Sequence, residues 1–159
     1  MKARMIYPSA APGTLDALLA LSKSLEQSGL SKPLLDLICL RASQINGCAY
    51  CIDMHWKDLR AEGTGEQKLY MLDAWREWPE GYTEQERAAL EWTEAVTLVS
   101  QDHVPDEIYE RARQQFSEPE LAWLTLAVVT INAWNRMNVA FRTPAGHYRA
   151  PSKTHQAGS

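Results

Sequence analysis

Apolar residues recur along this chain at three- and four-residue intervals almost without interruption, the pattern of helices that bury one face. Residues 14–27 carry leucines at 15, 18, 19, 21 and 25, and Gly29 stands where such a helix would stop. Ser31, Lys32 and Pro33 open a second helix to about residue 45, ended by Asn46-Gly47. A third is expected from Cys48 to about residue 62, closing at Gly63, and a shorter one over residues 66–75 before a loop with Pro79 and Gly81. Thr83 with Glu86, and Ser117 with Glu120, are capping boxes, each followed by a long apolar-periodic run to about residues 99 and 139. Pro105-Asp106 starts another helix between them, to about residue 116. No window alternates as a strand would, and no repeat is present. The expected fold is an all-α helical bundle, one domain over residues 1–159, with residues 142–159 as a loop or arm.

Two of these helices are apolar on more than one face. Residues 33–45 place Leu34, Leu35, Leu37, Ile38, Leu40 and Ile45 around most of the circumference, and residues 121–131 are similar. A helix apolar all round is buried, which in a chain of this length points to burial against another subunit. Trp75, Trp78 and Trp92 lie outside these two helices and suggest further contact surface, so a homo-oligomer is expected. Composition changes little: 45% hydrophobic and 23% charged residues are ordinary for a globular protein. The net charge of −4 is uneven, since every acidic residue lies at or before Glu120. The four basic residues beyond it are too sparse for a nucleic-acid surface. The N-terminus lacks the apolar core of a secretion signal, and no run is long enough to span a bilayer, so no membrane partner and a cytoplasmic location are expected. In a reducing compartment a CxxC pair is metal-binding or catalytic rather than a structural disulfide.

That pair is Cys48 and Cys51, with His55 four residues further on. On one helix the three side chains would share a face, which is what thiol chemistry asks for. An imidazole lowers the pKa of one thiol, and the second thiol resolves the first once it is oxidised. Cys51, four residues from His55, is the better-placed nucleophile, and Cys48 the resolving thiol. Half of a zinc site is an alternative, but no second CxxC follows; packing by small residues is another. Asp36 is anomalous among Leu34, Leu35, Leu37 and Ile38, where a carboxylate is costly unless paired. It shares a stripe with Cys39, Ser43 and Asn46 that could face the thiols across the Asn46-Gly47 turn and orient His55; the alternative is a solvent-facing Asp. Cys39 reads as packing. Tyr50 is a candidate accessory hydrogen-bond donor or a core residue, and Glu94 a second carboxylate or part of a solvated face. Asn132, Trp134, Asn135 and Arg136 form a polar cluster that reads as helix-end packing or interface.

Residues 34–63 (LLDLICLRASQINGCAYCIDMHWKDLRAEG), together with 69–76, 91–98 and 132–142 (NAWNRMNVAFR), resemble the AhpD-like alkylhydroperoxidases of the carboxymuconolactone decarboxylase superfamily. The motif is an acid, eleven residues, then Cys-x-x-Cys-x-x-x-His. By this resemblance Cys51 is the peroxidatic thiol, Cys48 resolves it, and Asp36 with His55 forms a proton relay. The resemblance further implies an all-α fold assembled as trimers or hexamers and hydroperoxides as substrates. It implies re-reduction by an external dithiol of lipoyl type, with no metal or organic cofactor. Two positions depart from the family pattern: the acid is Asp rather than Glu, and Tyr50 stands where AhpD has a relay histidine. The decarboxylase branch lacks the cysteine pair. A non-enzymatic thiol redox sensor, an oligomeric interaction module and a lyase-type member remain as alternative readings.

Overall fold

A computed structural model describes residues 2–151; Met1 and the last part of the expected arm, residues 152–159, lie outside it. Nine α-helices are described: α1 (Tyr7–Ala10), α2 (Pro12–Ser24), α3 (Lys32–Ile45), α4 (Ala49–Ala61), α5 (Glu66–Tyr70), α6 (Glu84–Thr97), α7 (Val99–Asp102), α8 (Asp106–Gln115) and α9 (Glu118–Phe141). No strand occurs among the described residues. The start signals act as the sequence implies. The Ser31 hydroxyl accepts from Leu34 N, with Pro33 in the first turn. Both capping boxes close, Thr83 N donating to Glu86 Oε2 at 2.9 Å and Ser117 N to Glu120 Oε2 at 2.8 Å. Such caps are worth about 1 kcal/mol each.

The differences from expectation are local. The stretch over residues 66–75 ends as a helix at Tyr70 and continues as a 3₁₀ segment, Leu72–Glu77, kinked at Ala74. The one-turn helices α1 and α7 are too short for periodicity to reveal.

Helix α3 is the centre of the bundle, with α4, α6 and α9 packed around it. One side sends Leu34 and Ile38 into a cluster with Ala89, Trp92, Phe116 and Leu124. Another sends Leu37 and Leu40 against Leu59, Leu69, Leu72 and Trp75. Much of the apolar surface of this helix is therefore covered within one chain, while Leu35 and Ile45 stay half-buried. The tryptophan expectation is corrected for two of the three residues, while Trp78 is half-buried against the Leu37 cluster. Trp75 and Trp92 are buried, and Trp92 Nε1 donates to Thr125 Oγ1 at 3.0 Å, because both rings fill the space between helices. On α9, Val129 and Val139 stay about half exposed.

The third side of α3 is different. It carries the buried Asp36 and Ser43 toward α4, beside a small cluster of Ala42, Cys48, Cys51 and Ile131. Helix α2 runs past this region without burying any residue fully. The segment after α9 has no regular structure but is tied to α4: Gly146 N donates to Asp53, Lys57 Nζ to the Tyr148 carbonyl, and the Tyr148 hydroxyl to Asp58.

Candidate active site

The site begins at the turn between α3 and α4. Gly47 takes φ = +65°, a left-handed conformation that glycine adopts without strain, and the chain reverses there. The reversal sets the geometry of the thiols. Cys48 N still bonds back to Ser43 O at 3.0 Å, and its φ and ψ are extended, so Cys48 is the residue capping α4 rather than part of it. The helix thus starts one residue later than expected, with Cys48 at its N-cap and Cys51 in its first turn, on the same side of α4. Their sulfurs are 2.6 Å apart, and both residues are buried.

The two thiols are driven in opposite directions. Cys51 is pulled well below the ordinary thiol value, to about 6. The leading cause is the hydrogen bond from the Cys48 thiol; burial opposes it, and amides from Asn135 and Asn138 and the nearby His55 assist. The first turn of a helix also favours negative charge. Cys48 is pushed up, first by its hydrogen bond to Cys51 and then by burial. The pair therefore holds one ready thiolate and one protonated partner. Cys39 is pushed far up by burial, as befits a packing residue.

His55 lies one turn along α4 from Cys51, and its Nδ1 is 3.1 Å from Asp36 Oδ1. The carboxylate has a second partner, the Lys32 ammonium, 2.5 Å from Oδ2. Burial would raise the pKa of Asp36, but the hydrogen bonds from His55 and Lys32 outweigh it and hold the carboxyl below its usual range. An ionised carboxylate on Nδ1 fixes the tautomer in which Nε2 is the basic nitrogen. Asp36 thus faces the site, and the solvent-facing alternative is set aside. Although its side chain is one methylene shorter than the family's Glu, it still reaches the imidazole.

Asp36, His55 and Asp58 offer ligand atoms within 4.8 Å of one another, a spacing that could hold a cation. Their donors are already engaged. Lys32 and His55 hold the Asp36 oxygens, and the Tyr148 hydroxyl donates to Asp58 at 2.8 Å. An ammonium in that shell repels a metal ion, so the cluster fits a proton network better than a metal centre.

A cavity of about 1070 Å³ opens over the site. Cys51, His55 and Tyr50 stand in its wall, while Leu15, Leu19 and Leu35 supply much of its apolar lining. Tyr50 therefore borders the reacting groups, packed against the cysteine cluster. Glu94 does not. Its carboxylate takes the Arg41 Nε at 2.7 Å, the Trp75 Nε1 at 2.8 Å and the Arg76 guanidinium, and it is absent from the cavity wall. The expectation of a second carboxylate near the site is corrected; Glu94 ties α6 to α3 and to the 3₁₀ segment.

Two residues of the site were not assigned to it from the sequence. Asn138 Nδ2 lies 3.5 Å from Cys51 Sγ, and Asn135 Nδ2 donates to Ser43 Oγ at 3.0 Å. The available signal was two asparagines three residues apart near the end of an apolar helix, the same spacing as the two cysteines.

The model of the carboxymuconolactone decarboxylase family matches residues 12–95. The uncharacterized protein YdfG of Bacillus subtilis strain 168 is 41% identical over 140 residues, 88% of this chain and 95% of YdfG. The crystal structure of ATU0492 from Agrobacterium tumefaciens, a protein of unknown function put forward as an antioxidant defence protein AhpD, superposes with a TM-score of 0.88 at 44% identity. It covers 92% of this chain and the whole of ATU0492. The debrominase Bmp8 shares the fold, with a TM-score of 0.73 at 20% identity over 87% of this chain and 74% of its own.

Proposed function

From the premise that this chain belongs to the carboxymuconolactone decarboxylase family, we propose that it is a thiol peroxidase of AhpD type. The observation that carries this reading is the pairing of a buried, acidified Cys51 with Cys48 at 2.6 Å, beside a His55–Asp36 pair, at the wall of a substrate-sized cavity. The Cys51 thiolate attacks the outer oxygen of a hydroperoxide and the O–O bond breaks. The alkoxide leaves as the alcohol after taking from His55 the proton that the imidazole, held by Asp36, accepted from the Cys51 thiol. Cys51 is then a sulfenic acid. Cys48, its proton passed to the same network, attacks that sulfur, and water departs as the disulfide forms. The balance is one dithiol protein and one hydroperoxide giving one disulfide, one alcohol and one water. An external dithiol of lipoyl type returns the two electrons and two protons by thiol–disulfide exchange.

The cycle uses no metal or organic cofactor. Tyr50 is an accessory at the cavity wall, where its phenol O–H can donate a hydrogen bond. Assembly as a trimer or hexamer, a single domain and a cytoplasmic location complete the proposal.

The test is hydroperoxide consumption with dihydrolipoamide as reductant. Many turnovers per chain are expected, with loss of at least about 100-fold in Cys51→Ser, the scale of removing an activated nucleophile. One stoichiometric oxidation without turnover, accompanied by a change in assembly, would overturn the enzyme reading in favour of a redox sensor.

A further inference from the structure

We propose that Asn138 is a further catalytic residue of the thiol site: its carboxamide N–H binds the Cys51 thiolate sulfur, and Asn135 positions it there. The inference goes beyond peroxidase activity and rests only on Cys51 being the reactive thiolate.

The geometry is a match of two spacings. Asn135-x-x-Asn138 on α9 lies over Cys48-x-x-Cys51 at the start of α4, although the two stretches are 87 residues apart. Asn138 is 5% exposed, and Cys51 Sγ is the partner its side-chain nitrogen reaches. A buried amide without a partner costs about 1–3 kcal/mol, so this position favours a polar side chain only if the sulfur answers it. A neutral thiol is a poor acceptor and a thiolate a good one. The contact therefore stabilises the charged form that attacks. Being uncharged, the amide itself does not titrate.

Asn135 explains why α9 is held in register. It is fully buried, donates to Ser43 Oγ, and accepts at Oδ1 from Asn46 Nδ2 at 2.9 Å. Asn46 also donates to Asn132 Oδ1 at 3.0 Å, and Asn132 donates to Thr97 Oγ1 on α6. This ladder locks α9 to the residue that precedes Gly47 and Cys48, so the next turn of α9 delivers Asn138 to Cys51. Both amides are among the causes that hold the Cys51 thiol down.

The titratable groups that face Cys51 are Cys48, His55 and Tyr50 along α4, Asp36 and Cys39 on α3, and Tyr7 on α1. An Asn138 variant leaves all of them in place. The experiment is the pH profile of Cys51 alkylation by iodoacetamide, followed by mass spectrometry on the folded protein without peroxide. Asn138→Leu should move the midpoint up by about one pH unit and slow alkylation at pH 6 about fivefold, the scale of losing one hydrogen bond to a charged group. Asn138→Asp, nearly isosteric, should move it further, and Asn138→Gln should restore part of the effect. If Asn138 only packs, an Asn138→Leu variant with a native circular dichroism spectrum will keep the wild-type midpoint and Asn138→Gln will restore nothing, and the proposal is overturned. Because alkylation needs neither peroxide nor reductant, absence of peroxidase turnover would count against the proposed function and leave this result standing.

Discussion

The sharpest test of the proton network is Asp36→Asn. In the wild type the Asp36 carboxylate is 3.1 Å from His55 Nδ1 and 2.5 Å from Lys32 Nζ. The amide keeps the shape but loses the charge, and it can present its NH₂ to the imidazole and reverse the tautomer. A hydrogen bond to a charged group is worth about 1.5–3 kcal/mol. At 1.36 kcal/mol per tenfold in rate, the peroxide-dependent kcat/KM should fall roughly 10- to 100-fold, less than in His55→Ala, which removes the base itself. ¹⁵N NMR of His55 should show Nδ1 protonated in the wild type and not in the variant. Asp36→Glu should retain most of the activity, since a longer acid can reach the same nitrogen. Stability offers an independent reading. Asp36 is depressed in the folded state, so its contribution is fully present above the unfolded carboxylate value near 4 and is lost as pH falls through the folded value. Asp36→Asn should therefore flatten the acid limb of the stability curve below about pH 4. Equal rates and equal acid limbs in the wild type, Asn and Glu forms would refute the relay.

Peroxide treatment should give an intramolecular Cys48–Cys51 disulfide with Cys39 left free; peptide mapping that finds Cys39 in the bridge would contradict the thiol assignment. Glu94→Gln removes the charge that Arg41, Trp75 and Arg76 share, and should cost about 1–3 kcal/mol in urea unfolding while leaving the Cys51 alkylation profile unchanged. A shifted profile would return Glu94 to the site. Leu35→Trp, narrowing the cavity, should lower kcat/KM for a bulky organic hydroperoxide by about 10-fold or more and leave hydrogen peroxide nearly unaffected. Equal losses for both substrates would show that the cavity does not hold the organic part of the substrate.

What could be read along the chain is what local physics controls. The capping boxes at Thr83 and Ser117, the Ser31-Lys32-Pro33 start and the Gly47 stop depend on contacts within a few residues, and each forms as written. The motif of Asp36, Cys48, Cys51 and His55 was legible because its spacing lies within two neighbouring helices joined by one turn. The Asp36–His55 pair then follows from antiparallel packing of α3 on α4.

Periodicity also showed that α3 is apolar on several sides, but not what covers it. A second subunit and a central position in one chain give the same pattern of leucines, and it is the packing of α4, α6 and α9 around α3 that shows how much of the cover comes from this chain itself. Glu94 is a similar case: its helix position is local, whereas Arg41, Trp75 and Arg76 reach it from two other segments. The tertiary structure also supplied the surroundings of the two thiols. Sequence spacing already favoured Cys51, four residues from His55, over Cys48. Folding sets Cys48 at the cap of α4, turns its thiol toward Cys51, and brings Asn138 onto the same sulfur from α9. A charge on buried sulfur is stabilised only by donors that surround it in three dimensions, and these come from a turn, a helix start and a helix far along the chain. The sequence by itself singled out the residues proposed to carry the chemistry and favoured Cys51; the turn before α4 and the packing of α9 brought Cys48 and Asn138 onto its sulfur.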